Sequence, residues 1–284
     1  MKRLALLLLL SLAAAYARAD ALDWLLDIPE PPSSLSLELG ASDDANRDLM
    51  LDGDLAFIGG SRLLAGYGLS RVRDMPEMDT ESYRLGLASD PLAAVVLELL
   101  ADHWGQRQSL LIDTAQGRVH YQGQHWSFAL TAQLRLIELS YTRNQQSRRF
   151  EFSSRGLGAE LAYYAAGNWR AGLSYLRQDY SRDTRLFSRS AAIRRLSPIT
   201  LALSSSLEDE RLAAWLGYAF EHLDLRLAQT RIRAAVDGLG STYTELGATV
   251  LLRSWSLLLR LGRQHTPSLA QRSRYASLGL GYAW

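Results

Sequence analysis

Residues 274–284 read RYASLGLGYAW, and the reading of this stretch decides the fold. Counted back from the end, Trp284, Tyr282, Leu280, Leu278 and Ala276 form an apolar set that closes on two aromatics. Ala283, Gly281, Gly279, Ser277 and Tyr275 form a set that is small or polar. Successive side chains of a strand point to opposite sides, so a period of two with dissimilar faces specifies a β-strand.

This strand resembles the terminal strand of bacterial outer-membrane β-barrel proteins. That strand ends on an aromatic residue, with a tyrosine two places earlier and apolar residues at alternate positions before it. The resemblance is confined to this last strand. It implies an all-β, closed antiparallel transmembrane barrel, recognised by the barrel-assembly machinery through Tyr282 and Trp284.

The start of the chain agrees. Lys2 and Arg3 precede the apolar run Leu4–Ala15, and Ala17-Arg18-Ala19 forms an A-x-A cleavage site before Asp20. Residues 1–19 are therefore expected to be a secretory signal peptide. The run is shorter than the about 20 apolar residues that a membrane helix needs. Every later apolar stretch is interrupted by Arg, Asp or Glu, so a membrane could be crossed only by strands. Residues 20–32 carry the patch Leu22, Trp24, Leu25, Leu26 and Ile28 and then a proline-rich break; they are expected to be a periplasmic segment, with a plug in the barrel mouth as the alternative. The barrel itself is assigned to residues 33–284.

Composition excludes several classes. The absence of cysteine rules out disulfides and thiolate metal sites. Cleavage after Ala19 lowers the 31 basic residues to 28 against 30 acidic ones, a balance with no footprint for nucleic acid. Lys2 is the only lysine, so every cation of the mature chain is arginine. Codon bias explains that simply. The arginine fork also suits phosphates, which makes outer-membrane lipids and lipopolysaccharide expected partners.

From Ser33 onward, alternating segments are divided by turn signals. Leu35, Leu37 and Leu39 alternate with Ser34, Ser36 and Glu38, and residues 41–49 read as a loop. Gly59-Gly60-Ser61, Ser89-Asp90-Pro91, Gly167-Asn168, Arg195–Pro198, Glu221-His222 and Arg253-Ser254 read as turns. Between Gly105 and Ala132 both Gln116-Gly117 and Gln122-Gly123-Gln124 look like turns, although both cannot easily separate full-length strands. Trp169, Phe220, Trp255, Tyr282 and Trp284 fall beside short turns or at the end, on the leucine-bearing face. That is the aromatic girdle expected where a barrel wall meets the headgroups. The opposite faces carry Arg84, Glu98, Glu160, Arg170, Asp224, Arg226, Glu245 and Arg260 in mid-strand. A lipid-facing charge costs about 2–4 kcal/mol at the bilayer centre, so these residues are expected to line a lumen.

With both termini periplasmic the strand number must be even. At roughly 10 residues per membrane strand plus turns, the mature length fits 14–18 strands, with about 16 expected. Residues 41–49, 73–79, 144–149 and 266–273 then form outer loops that hold Arg73, Arg148, Arg149 and Arg272.

Catalytic patterns are missing. His103, His120, His125, His222 and His265 make no H-E-x-x-H, and no G-x-S-x-G or P-loop occurs. His120 and His125 are five apart and face opposite sides of a single strand. Asp43-Asp44 and Asp52-Gly53-Asp54 could attract calcium but lack the other ligands of a full loop and read as ordinary turns. No cofactor, metal or catalytic residue is expected. The reading that fits is a passive channel or export pore for small polar solutes or polysaccharide. The alternatives are a lipid-modifying enzyme in the wall and a structural barrel with a filled lumen. In chain length and short loops the sequence also resembles exopolysaccharide-export barrels and YaiO-like proteins, in architecture only.

Overall fold

In the computed structural model the alternating segments form strands. The structure describes residues 33–284 except 44–45, 58–59, 74–75, 90–93, 107–108, 144–145, 166–167, 185–206 and 267–270. The expected signal peptide, the segment 20–32 and the turn at Arg195–Pro198 lie outside the described residues. The strands are β1 (Ser34–Ser42), β2 (Asn46–Ala56), β3 (Arg62–Val72), β4 (Thr80–Ala88), β5 (Val95–Gln106), β6 (Leu110–Gln122) and β7 (Trp126–Arg143). They continue as β8 (Gln146–Tyr164), β9 (Trp169–Tyr180), β10 (Glu208–Ala219), β11 (Leu223–Ala234), β12 (Gly240–Leu252), β13 (Trp255–Thr266) and β14 (Gln271–Ala283).

Each strand pairs antiparallel with its neighbours in sequence, and β1 closes on β14, from Ser34 opposite Ala283 to Ser42 opposite Tyr275. Closure leaves no strand edge unpaired. Ser33 and Trp284 exchange two backbone hydrogen bonds of 3.0 Å, so both ends of the sheet lie at one end of the barrel, the near end.

The 14 strands fall within the range expected from length, below the central figure of 16. β9 pairs directly with β10, so no strand of the closed sheet separates them. Gln116-Gly117 is not a turn either: both residues lie inside β6, with Gly117 opposite Leu99 and Ala132. A mid-strand glycine keeps both of its hydrogen-bond ladders, and here the Leu99 side chain passes beside it. The real turn follows Gln122, where the Gly123 N–H donates to the Trp126 carbonyl at 2.8 Å.

The outer connections differ from expectation in the same sense. The loop at 41–49 shrinks because Ala41 pairs with Arg47, and Asp52 and Asp54 sit within β2 rather than in a turn. Residues 146–149 belong to β8, because β7 and β8 stay paired up to Arg143 opposite Gln146 and project as a tall hairpin. Residues 73–79 contain a 3-10 turn at Pro76–Met78.

Inside and outside are distinguished by reach. Gln178 on β9 donates to Gln133 on β7 at 2.7 Å, Arg118 on β6 to Glu160 on β8 at 2.8 Å, and Arg135 on β7 to Glu208 on β10 at 2.7 Å. Side chains two or three strands apart converge only on the concave face. The convex face exposes Leu35, Leu37, Leu39, Leu85, Leu130, Leu157, Leu257, Leu278 and Leu280 among many others. A continuous apolar band around a sheet exceeds what a soluble monomer leaves in water, and hydrocarbon covers it.

Trp169, Phe220, Trp255, Tyr282 and Trp284 are exposed on this outer face at the near end. Their rings link along the rim: Trp169 to Tyr218 at 4.8 Å, Tyr218 to Phe220 at 4.5 Å, Trp255 to Tyr282 at 4.7 Å and Tyr282 to Trp284 at 5.9 Å. Trp126 and Tyr163, at 4.5 Å, add a further pair that sequence reading did not single out. The turns beside the rim are tight. Asn168 and Arg253 adopt φ of 70° and 56°, the left-handed region that asparagine tolerates better than most residues.

Candidate functional site

The candidate site is the lumen, and its charges are arranged by strand parity. Arg84 on β4 donates to Asp102 on β5 at 2.8 Å and lies 4.0 Å from Asp52 on β2. Glu98 and Glu160 meet at one guanidinium, that of Arg118, at 3.6 and 2.8 Å. Arg170 pairs with Asp224 on the far side of β10. Arg226 stacks over the Trp215 ring at 4.8 Å. Glu245 accepts from the Tyr275 hydroxyl at 2.8 Å, and Arg260 lies 3.5 Å from Glu38, which also accepts from Ser277. All eight charges singled out in the sequence therefore lie on the inner face, and Arg170 with Asp224 is the one pair among them in direct contact.

These side chains lie along the wall rather than across it, and glycines make that geometry possible. Gln178 crosses β8 above Gly156, where a Cβ would sit 2.5 Å from its Nε2. Trp215 lies flat over Gly172 in the same way.

At the far end the lumen changes character. Leu110, Ile112, Ile137, Leu139 and Phe152 point inward and are buried by Leu207, Ala235 and Val236. Two bonds hold that cover together: the Ala235 N–H donates to the Leu207 carbonyl at 2.7 Å, and the Thr184 hydroxyl donates to the Ala235 carbonyl at 2.8 Å. Beside this packing lies a cavity of about 320 Å³, lined by Trp104, Thr114, Arg135, Glu208, Arg211 and Tyr243 among others. Glu208 is nearly inaccessible; one carboxylate oxygen accepts from Arg135 and the other from Arg211, both at 2.7 Å. Its carbonyl accepts from the Tyr180 hydroxyl at 2.5 Å. Among the described residues, the buried Arg135 Nε has no partner. Guanidinium forks and ring faces around one cavity can hold a polar solute through hydrogen bonds and stacking.

Sequence reading missed Arg118, because a misplaced turn at Gln116-Gly117 broke the count there. It missed Arg135, whose face continues as the apolar Ile137 and Leu139 and carries no further charge to mark it as inward. Glu208 begins a strand after a long connection, and no alternation marks it in advance.

The histidines do not converge. His103 sits on the outer face 2.6 Å from Asp113, beside the Tyr83 ring. His120 lies on β6 opposite Ala129, and His125 in the β6–β7 turn lies 3.2 Å from the Tyr164 carbonyl. Among the described residues no cluster of His, Asp or Glu could hold a metal ion.

No family model matches the sequence, and neither does any curated protein. Solved structures do match in fold. CdiB from Acinetobacter baumannii superposes with a TM-score of 0.50 at 10% identity, over 90% of this chain and 60% of its own. The KdgM porin gives 0.44 at 9% identity over 88% and 99%, and Pseudomonas putida OprB gives 0.48 at 8% over 90% and 94%. At 10% identity the likeness to CdiB speaks to the fold alone. None of the three is a polysaccharide-export or YaiO-like barrel.

Proposed function

We propose that this chain is an outer-membrane barrel acting as a passive channel for small polar solutes. The observation that carries the reading is the inner face. Its charges are compensated sideways along the wall, as in Arg62 with Asp54 at 2.9 Å and Arg84 with Asp102, which leaves the axis to water. The far-end packing occupies part of the lumen beside the cavity around Arg135, Glu208 and Arg211. In this reading residues 1–19 are a signal peptide removed on export, residues 20–32 remain periplasmic, and the near end faces the periplasm. Insertion proceeds through the assembly machinery acting on β14. The likeness to exopolysaccharide-export barrels in length and short turns would extend the cargo to polysaccharide.

Arg84 and Arg118 each face two carboxylates, whereas Glu208 faces two guanidiniums, and Asp48 adds a further inward acid on β2. The lumen therefore favours cations weakly. Purified protein in planar bilayers is expected to show stepwise conductance with mild cation preference. Silent bilayers from protein that migrates as a heat-modifiable barrel would rule the channel out and favour the filled structural barrel.

A lipid-modifying enzyme has one observation in its favour, the outward His103–Asp113 pair, which has the form of a general base and its orienting carboxylate. Deacylation of a lipid substrate that is lost in His103→Asn would establish it.

A further inference from the structure

The outer wall carries arginines just beyond its apolar band at the far end, in two opposite arrangements. On β7–β11 all but Arg231, which lies between Leu212 and Thr242, have an acid opposite them or in contact. Arg155 is opposite Asp179 and Arg177 opposite Glu210 in the strand register. Arg149 pairs with Glu138 and Glu151, and Arg233 with Asp209 and Glu210 at 2.7 and 2.9 Å.

Across the closure, from β13 through β14, β1 and β2 to β3, they meet each other. Arg263 is directly opposite Arg274, and Arg47 is directly opposite Arg71. All four are exposed. One outward position nearer the membrane centre stand Leu261, Ala276, Leu49 and Leu69, so the guanidiniums sit at the edge of the apolar band. Ala41 lies between the two pairs, opposite Arg47 and Ala276, and leaves the surface there shallow.

The carboxylates nearby are engaged elsewhere. Asp43 accepts from the Arg274 backbone N–H at 2.8 Å, Asp79 from the Val72 N–H at 3.0 Å, and Glu81 from the Tyr83 hydroxyl at 2.8 Å. Among the described residues no ion pair joins any of the four arginines to an acid. Like charges directly opposite one another destabilise a sheet, and the repulsion grows beside a low-dielectric layer. An anion between them reverses the sign.

The geometry points to a docking face for the phosphates of an outer-leaflet glycolipid on the seam β13–β14–β1–β2–β3. The acyl chains would lie on the leucines below, and each arginine pair offers forks that match phosphate bidentately. Five strands at about 4.8 Å spacing put about 19 Å between the outermost arginines, room for two phosphates held separately. This assignment rests on the membrane reading of the wall, not on the pore.

The test uses the full chain in nanodiscs, with a diphosphorylated acylated glucosamine disaccharide (lipid A) and its dephosphorylated counterpart as probes. The unaltered protein is expected to retain the phosphorylated lipid at least about tenfold more strongly, the weight of one charge-assisted contact or more. The double variants R263Q/R274Q and R47Q/R71Q should each lose about tenfold, while R149Q/R233Q, whose guanidiniums are held in ion pairs, loses nothing. Equal retention of the two lipids by the unaltered protein overturns the proposal without recourse to any variant. Displacement by millimolar inorganic phosphate would mean a site for free anions and would overturn the lipid assignment. A barrel that conducts nothing yet prefers the phosphorylated lipid removes the channel and leaves this face standing.

Discussion

The two ends of the lumen share one backbone geometry and two different chemistries. Beneath the β7–β8 hairpin, Leu110 and Ile137 are 0% and 2% exposed, as in the core of a soluble protein. Towards the near end Arg84 and Asp52 keep 53% and 40% of their side-chain surface accessible. Pointing inward is therefore not an environment in itself. What covers the face decides: Leu207, Ala235 and Val236 fold onto one part, and nothing among the described residues covers the other. A charge at the covered end must be paired to be tolerated, whereas one at the open end can rely on water.

The sharpest way to break that contrast is Glu208→Ala, which leaves Arg135 and Arg211 without their shared carboxylate. Stripping one partner from a buried pair costs about 3–5 kcal/mol, read as a lower urea midpoint in detergent micelles. A loss below about 1 kcal/mol would mean that the far end is as wet as the near end. Ile137→Val should cost about 0.5–1.5 kcal/mol in the same measurement, because the covered cluster cannot collapse fully onto a missing methyl. No change would mean that the packing is loose. Arg84→Gln should cost least, about 0–1 kcal/mol, since the Arg84 side chain is itself 53% exposed. Its effect belongs in the reversal potential, which should move towards stronger cation preference. An unmoved reversal potential with intact conductance would take Arg84 out of the ion path.

Much of this architecture was legible in the chain. Leu278, Leu280, Tyr282 and Trp284 alternate so cleanly that one strand announced a wall with two unlike sides. Trp169, Phe220 and Trp255 repeat its level beside short turns. The errors came where alternation fails as a guide. Gly117 reads as a turn because glycine is common in turns, yet the ladders on both sides of β6 hold it in mid-strand. Ile137 and Leu139 are as apolar as the leucines of the outer wall, yet register puts them inside. The opposed arginines at the seam are invisible in one dimension, since Arg47 and Arg274 are brought near only by closure.

By itself the sequence determined the period, the sidedness of the strands outside β6 and β7 and the near-end aromatic rim, because these follow from alternation between close neighbours in the chain. Tertiary structure alone decided the number of strands and which charge meets which. It also decided which part of the inner face is covered. Those depend on register and on contacts between residues far apart in sequence, and no local pattern encodes the partner that a side chain finds when the sheet closes.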